Sequence, residues 1–231
     1  MERLASKIGL KPGPKPKGNV KIKWSADFAY AIGLIATDGC LYGDGRHVNL
    51  TSKDIDQINN FQESLGTSYH IGRKGNGSSP NKKYYVVQIG DVLFFNFLMS
   101  IGLTPAKSKT LGKIAIPDEY FFDFFRGSFD GDGCTYSYWD PRWKSSFMFY
   151  TVFVSASEAH IIWLRSEINR RLGLVGHINK SKKNPCYQLK YAKRESLVLL
   201  RKIYYSPKVR CLSRKRLKIK QMLAIVGESL G

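Results

Sequence analysis

Two aspartates define the chemistry open to this chain. Asp38 closes the run Ala31-Ile32-Gly33-Leu34-Ile35-Ala36-Thr37-Asp38-Gly39, and Asp132 closes Phe125-Arg126-Gly127-Ser128-Phe129-Asp130-Gly131-Asp132-Gly133. Both runs are apolar and helix-like, both end in Asp-Gly, and both continue into Cys-x-Tyr at Cys40 to Tyr42 and Cys134 to Tyr136. Two carboxylates brought together at the negative ends of helices repel each other and are electrostatically strained. A divalent cation relieves that strain, and oxygen ligands suit Mg²⁺, which binds through one or two carboxylates plus phosphate. Metal at a phosphodiester polarises it and activates water for in-line attack.

The same runs explain how the aspartates could meet. Gly33 and Thr37 lie four apart on one helix face, as do Gly127 and Gly131. Small residues at that spacing let two helix backbones approach closely. One such helix from each copy would pack about a pseudo-twofold axis.

The surrounding pattern repeats as well. From Trp24 the chain reads helix, hairpin, helix, hairpin, helix. Ser25 is a candidate N-cap, strands follow at Cys40 to Thr51, and a helix from Ser52 to Leu65 stops at Gly66. Strands near Tyr69 to Arg73 and Tyr84 to Ile89 precede a helix over 92–101. After a connector the order recurs: a helix 120–132, strands near 135–138 and 147–155, a helix 157–172, strands near 176–179 and 187–191, and a helix 195–204. The copies align through Asp38 and Asp132 at an offset of 94, Leu65-Gly66 and Leu172-Gly173 at 107, and Gln88-Ile89 and Gln188-Leu189 at 100. Length changes therefore fall in the hairpins, as an internal duplication requires. The expected division is a basic extended arm 1–23, a first repeat 24–104, a linker 105–117, a second repeat 118–205 and a basic C-terminal helix within 206–231.

Charge narrows the partner. The 231 residues hold 37 Lys and Arg against 18 Asp and Glu, a net +19. Such an excess points to a polyanion, most simply nucleic acid. No run is long and apolar enough to span a bilayer, and the opening segment lacks the apolar core of a signal peptide. A soluble intracellular protein is expected. Four widely spaced cysteines argue against a zinc ribbon or a redox motif. Cys40 and Cys134 are expected to be small buried residues.

The two copies resemble the motif of the LAGLIDADG homing endonucleases in their single-chain, two-repeat form. Phe124-Phe-Arg-Gly-Ser-Phe-Asp-Gly-Asp-Gly133 is a close match and Tyr30-Ala-Ile-Gly-Leu-Ile-Ala-Thr-Asp-Gly39 a fair one, with the resemblance spanning roughly residues 24 to 226. It implies an α+β fold of two pseudo-symmetric αββαββα repeats, whose antiparallel sheets form a saddle over duplex DNA. It implies a monomeric site-specific endonuclease that cuts both strands across the minor groove of a long asymmetric target, leaving short 3′ overhangs. By the same resemblance Asp38 and Asp132 hold Mg²⁺, with Mn²⁺ or Ca²⁺ able to substitute for binding, and Gly39 and Gly133 lend backbone oxygen. Gly33, Thr37, Gly127 and Gly131 form the helix interface.

The family tends to place a lysine after the last strand of each repeat. Lys193 fits in copy two. The copy-one counterpart falls at Gly90-Asp91, which offers no base: either the two half-sites are chemically unequal, or another residue such as Lys107 or Lys109 substitutes, and an enzyme that nicks preferentially or has lost activity is a further alternative. Copy one also carries Ala36 opposite Asp130, read as a packing difference. Strand alternation directs His47, Asn49, Thr51, Tyr84 and Gln88 in copy one, and Gln188 and Lys190 in copy two, toward DNA. Arg73, Lys74, Lys82, Lys83, Lys180, Lys182 and Lys183 are expected phosphate contacts near the hairpin turns. Intron homing or a free-standing mobile gene is the implied setting. An intein is not expected, because the chain opens on Met1 with no flanking splicing domain. The alternative function is a non-cleaving binder on the same scaffold, an intron RNA maturase or a DNA-binding regulator.

Overall fold

The computed structural model describes residues 18–76, 79–180 and 186–230, with side chains left aside over 76–83. The expected contacts Lys82, Lys83, Lys182 and Lys183, and most of the basic arm, lie outside what is described.

Helix α1 runs Ala26–Thr37, started by the Ser25 hydroxyl, which accepts from the Phe28 N–H at 3.1 Å. Strands β1 (Gly39–Leu41) and β2 (His47–Ser52) form the first hairpin. Helix α2 (Ile55–Leu65) stops at Gly66, whose φ of 64° is the left-handed conformation that favours glycine. Strands β3 (Ile71–Asn76) and β4 (Ser79–Gly90) and helix α3 (Val92–Ser100) follow. The second half repeats this order with α4 (Phe121–Asp132), β5 (Cys134–Trp139), β6 (Phe147–Ser155), α5 (Glu158–Leu172), β7 (His177–Lys180), β8 (Tyr187–Tyr191) and α6 (Lys193–Ile203). Helix α7 (Ser213–Ala224) comes last. Each half builds one four-stranded antiparallel sheet, ordered β1-β2-β4-β3 and β5-β6-β8-β7.

The core lies between the sheets and the helices. Val48, Leu50, Val87 and Ile89 turn to the helix side in the first sheet, and Phe149, Leu189 and Tyr191 do so in the second. All seven are fully buried. Period-2 alternation leaves the opposite face of each sheet free for function.

Residues 19 and 20 are docked on the first repeat by their backbone. Asp91 accepts from the N–H groups of Asn19 at 2.5 Å and Val20 at 2.9 Å through Oδ2, and caps α3 through Oδ1 on the Phe94 N–H at 2.9 Å. The position that offers no base in copy one thus carries a carboxylate with a structural task. Cys40 and Cys134 are exposed, not buried. Each is an early residue of a first strand, paired with Asn49 or Val152, and the pleat turns it to the outer sheet face. No helix among the described residues is long and apolar enough to cross a membrane.

Candidate metal centre and its flanking sheets

Helices α1 and α4 meet on backbone. A Cβ added at Gly33 would come within 2.1 Å of the Phe124 carbonyl oxygen, and one at Gly127 within 2.1 Å of the Tyr30 carbonyl oxygen. At Gly131 it would strike the Thr37 hydroxyl at 1.9 Å and approach Asp38 Oδ2 at 3.0 Å. No side chain larger than hydrogen fits at these glycines, so their absence sets the depth of the crossing. Thr37 settles back on its own helix, donating to the carbonyls of Gly33 at 3.3 Å and Leu34 at 3.2 Å.

This crossing brings the two helix ends together and puts Asp38 and Asp132 side by side. Burial pushes the Asp38 carboxyl up to about 6, the Asp132 charge adds to that rise, and a hydrogen bond from Gln57 opposes it. Burial raises Asp132 too, against the charges of Lys215 and Lys107. Gln57 Nε2 donates to Asp38 Oδ2 at 2.5 Å, and its own Oε1 is held by the Ser52 hydroxyl at 2.7 Å. No equivalent donor meets the Asp132 carboxylate among the described residues.

Two ammonium groups flank the pair, that of the buried Lys107 and that of the half-buried Lys215. Lys107 Nζ donates to the Gly39 carbonyl. Lys215 Nζ reaches the carbonyls of Phe129, Asp130, Gly131 and Gly133 at 2.6 to 3.0 Å, closing the C-terminal end of α4. A cation at a helix C-terminus satisfies orphan carbonyls and complements the helix dipole. Burial lowers the affinity of both lysines for their protons, while the carboxylates Asp38 and Asp132 (Lys107) and Asp130 and Asp38 (Lys215) pull it back up. The glycine carbonyls expected to face a metal therefore already accept from lysine, each with one lone pair to spare.

Lys193 is not part of this centre. It opens α6 and donates to the Phe147 carbonyl at 3.3 Å. Phe147 pairs with Trp139 at the far end of the hairpin, whereas Val152, five residues along β6, pairs with Cys134 beside the centre. At about 3.3 Å per residue that separation is roughly 16 Å. The ammonium groups that the structure places beside the two helix ends are those of Lys107 and Lys215. Lys109 is exposed in the same connector. Lys107 and Lys215 are 108 positions apart, close to the 107 of the Gly66 and Gly173 helix stops, so the duplication itself carried the signal.

The outer sheet faces hold most of the expected contact residues. In the first sheet Asn49 stands opposite Gln88 and His47 opposite Gly90, with Thr51 opposite Val86. Gln88 is exposed, but Asn49 is buried and donates to the Tyr42 hydroxyl at 2.9 Å. The His47 ring is tied to Asp44 at 2.5 Å, and Thr51 and Tyr84 are half-buried. Lys74 pairs with Tyr84 on this face. In the second sheet Lys190 lies between Val152 and His177, and Gln188 between Val154 and Asn179. Arg73 and Lys180 instead share the helix-side register, pairing with Tyr85 and Tyr187 and lying over those rings at 5.5 and 5.3 Å.

No family model and no curated protein sequence matches the chain. Solved structures do. The homing endonuclease I-WcaI bound to its DNA recognition sequence superposes with a TM-score of 0.57 at 15% identity, over 93% of this chain and 96% of that one. I-SmaMI, bound to uncleaved DNA target in the presence of calcium ions, gives 0.57 at 12%, over 88% and 91%. Full-length DUF199/WhiA from Thermatoga maritima gives 0.55 at 14% over 92% of this chain, which spans 64% of the WhiA length. These likenesses cover most of the chain, which has the two-repeat LAGLIDADG fold with its two four-stranded antiparallel sheets.

Proposed function

We propose that the chain is a divalent-cation-dependent endonuclease that cuts both strands of duplex DNA. The observation that carries this reading is the juxtaposition of two desolvated carboxylates, Asp38 and Asp132, at the ends of backbone-packed helices, with one ammonium beside each helix end. Neither carboxylate is neutralised by a salt bridge to a described residue, and no cluster of three or more His, Cys, Asp or Glu is present among the described residues. Two carboxylate ligands with room for water and phosphate match Mg²⁺, and Mn²⁺ or Ca²⁺ would substitute for binding. Bound there, the cation would polarise the phosphodiester and acidify a water.

The protein groups do the rest. Asp38 and Asp132 orient the ion, with Gln57 fixing the Asp38 carboxylate. Lys107 and Lys215 stand where charge develops on the phosphoryl oxygens, and preformed ammonium groups in a dry site stabilise that charge without reorganising. Each helix end would serve one strand, with cleavage across the minor groove leaving short 3′ overhangs. The free sheet faces would follow the flanking duplex, Gln88, Gln188 and Lys190 reaching base edges and the basic turns reaching phosphates. The two faces differ in sequence, so a long asymmetric target is expected, in keeping with intron homing by a single chain.

A second reading has an observation of its own. Both glycine carbonyls beside the carboxylates already engage lysine, which suits a binder that holds nucleic acid without cutting it. Incubation with DNA carrying the uninterrupted insertion site, in Mg²⁺ and in EDTA, separates the two. Linear product in Mg²⁺ alone is the expected result. Tight binding without cutting in either condition would replace the enzyme by the binder.

A further inference from the structure

The second motif helix carries three buried charged groups, Asp123, Arg126 and Asp130, where the first has none. Arg126 and Asp130 stand where α1 has Ile32 and Ala36. Arg126 is fully buried and Asp130 is 1% exposed. Neither touches the carboxylate pair. Both face the segment that joins α6 to α7.

Their hydrogen bonds run to that segment's backbone. Arg126 Nη1 donates to the Ile203 carbonyl at 3.0 Å and Nε to the Arg210 carbonyl at 2.8 Å, while Nη2 pairs with Asp123 at 2.8 Å. Asp130 Oδ2 accepts from the Leu212 N–H at 2.6 Å and from the Tyr30 hydroxyl at 2.8 Å. Leu212 is the N-cap of α7, and Lys215 lies three residues on, within that helix's first turn. A buried charge is costly unless it is paired and hydrogen-bonded, and these two side chains direct their bonds to the segment they hold, although Asp130 Oδ1 has no partner among the described residues.

Copy one needs no such clasp. Its ammonium, Lys107, sits in a connector fixed elsewhere: the Ser157 hydroxyl donates to the Leu111 carbonyl at 2.5 Å, and the His160 ring meets the Gly112 carbonyl at 2.9 Å. The segment before α7 is held instead by α4.

We infer that Arg126 and Asp130 are positioning residues: they clasp residues 203–212 against α4 so that α7 delivers Lys215 to the Gly133 end of the centre. This rests on the proposed endonuclease reading for its consequence, strand by strand, but not for the clasp itself. Releasing the clasp frees Lys215 and leaves Lys107 in place, so a double-strand cutter becomes a nickase.

The test uses the full-length protein with Asp130→Ala, which copies the Ala36 side, and Asp130→Asn, which keeps an acceptor of the same shape. Amines are acetylated for short times and Lys215 and Lys107 are followed by mass spectrometry, beside hydrogen exchange over 206–224 and a thermal melt. In Asp130→Ala, Lys215 should label about tenfold faster or more, the scale of losing one buried hydrogen bond to a charge. Lys107 should be unchanged, and Asp130→Asn should recover most of the protection. On supercoiled target plasmid the same variant should accumulate nicked circles, with one strand slowed roughly a hundredfold. If Asp130→Ala unfolds, Tyr30→Phe, which removes one bond to the same carboxylate, should give the same ordering on a smaller scale. Equal labelling of Lys215 in folded wild type and variant would overturn the clasp. Free Lys215 with both strands cut as before would overturn its positioning role. A wild type that cuts no DNA would remove the endonuclease reading, and the labelling would still decide the clasp.

Discussion

Lys107 comes to Gly39 from a connector that runs straight on into the second motif helix. Lys215 comes to Gly133 from a terminal helix that must first be carried back across α4. The helix ends they serve are near copies, with the same Asp-Gly, the same glycine crossing and the same approach by an ammonium. The means of holding that ammonium differ. The first half uses Ser157 and His160 of α5, and the second uses Arg126 and Asp130 of α4. Duplication copied the chemistry. It did not copy the tether: the Lys107 segment lies between the repeats and is held from α5 and its N-cap, whereas the Lys215 segment comes after α6 and is held from α4.

The largest effects should fall where the halves are alike. Asp38→Asn and Asp132→Asn should each lower double-strand cleavage roughly a thousandfold, the loss of several kcal/mol of metal-supplied stabilisation. Filter or mobility-shift binding to the same DNA should stay near wild type, and unequal losses would show that one carboxylate dominates. Gly127→Ala and Gly33→Ala should each cost about 3 kcal/mol or more, since the new methyl would overlap backbone rather than a yielding side chain. Urea midpoints check this, and tolerance of either would show that the crossing can open.

The lysines probe the difference between the halves. Lys107→Met and Lys215→Met should each slow one strand by roughly a hundredfold and leave the other. End-labelled duplex, with the label moved between strands, should assign opposite strands to the two variants.

The smallest effect lies in the tether of the first half. Burial holds the His160 imidazole down to about 4, below its ordinary 6.5. The folded protein therefore binds this proton less readily than the unfolded chain, and the stability it carries is present above pH 6.5 and falls as pH drops toward about 4. Acidification from pH 7 to about pH 5.5 should cost about 1 kcal/mol. His160→Gln, which keeps a donor for the Gly112 carbonyl, should flatten the profile.

Much of this was legible in the sequence, for local reasons. Ser25, Ser157, Gly66 and Gly173 announce their helix ends through capping chemistry that depends on a few neighbours. The glycine spacing announced a close crossing because nothing else explains small residues four apart in both copies. Lys215 left only a faint mark, its offset of 108 from Lys107, because its own partners lie 82 to 86 residues away. Lys193 was mistaken for it because following a strand in sequence says nothing about which end of the sheet a side chain serves. Cys40 and Cys134 show the limit of residue averages: cysteine tends to be buried, but the strand pleat decides each case. Arg126 and Asp130 did leave a mark, as charges inside an otherwise apolar helix. A packing difference was too weak a description of groups buried so completely.

The crossed anchoring has a practical side. The connector that carries Lys107 is pinned by α5 of the other half, and the segment that carries Lys215 bonds back to α2 of the first, where Asn60 donates to the Cys211 carbonyl at 2.9 Å and Arg214 meets Asp54 at 2.7 Å. Cutting the chain between Gly112 and Pro117 would leave two fragments, each holding one of the two carboxylates, the first without the Ser157 and His160 anchors of its Lys107 connector and the second still carrying its Arg126 and Asp130 clasp. Such fragments would be silent apart and complete on reassembly. The molecule is in that sense already laid out as a split reporter, with its off state enforced by geometry rather than by an added inhibitor.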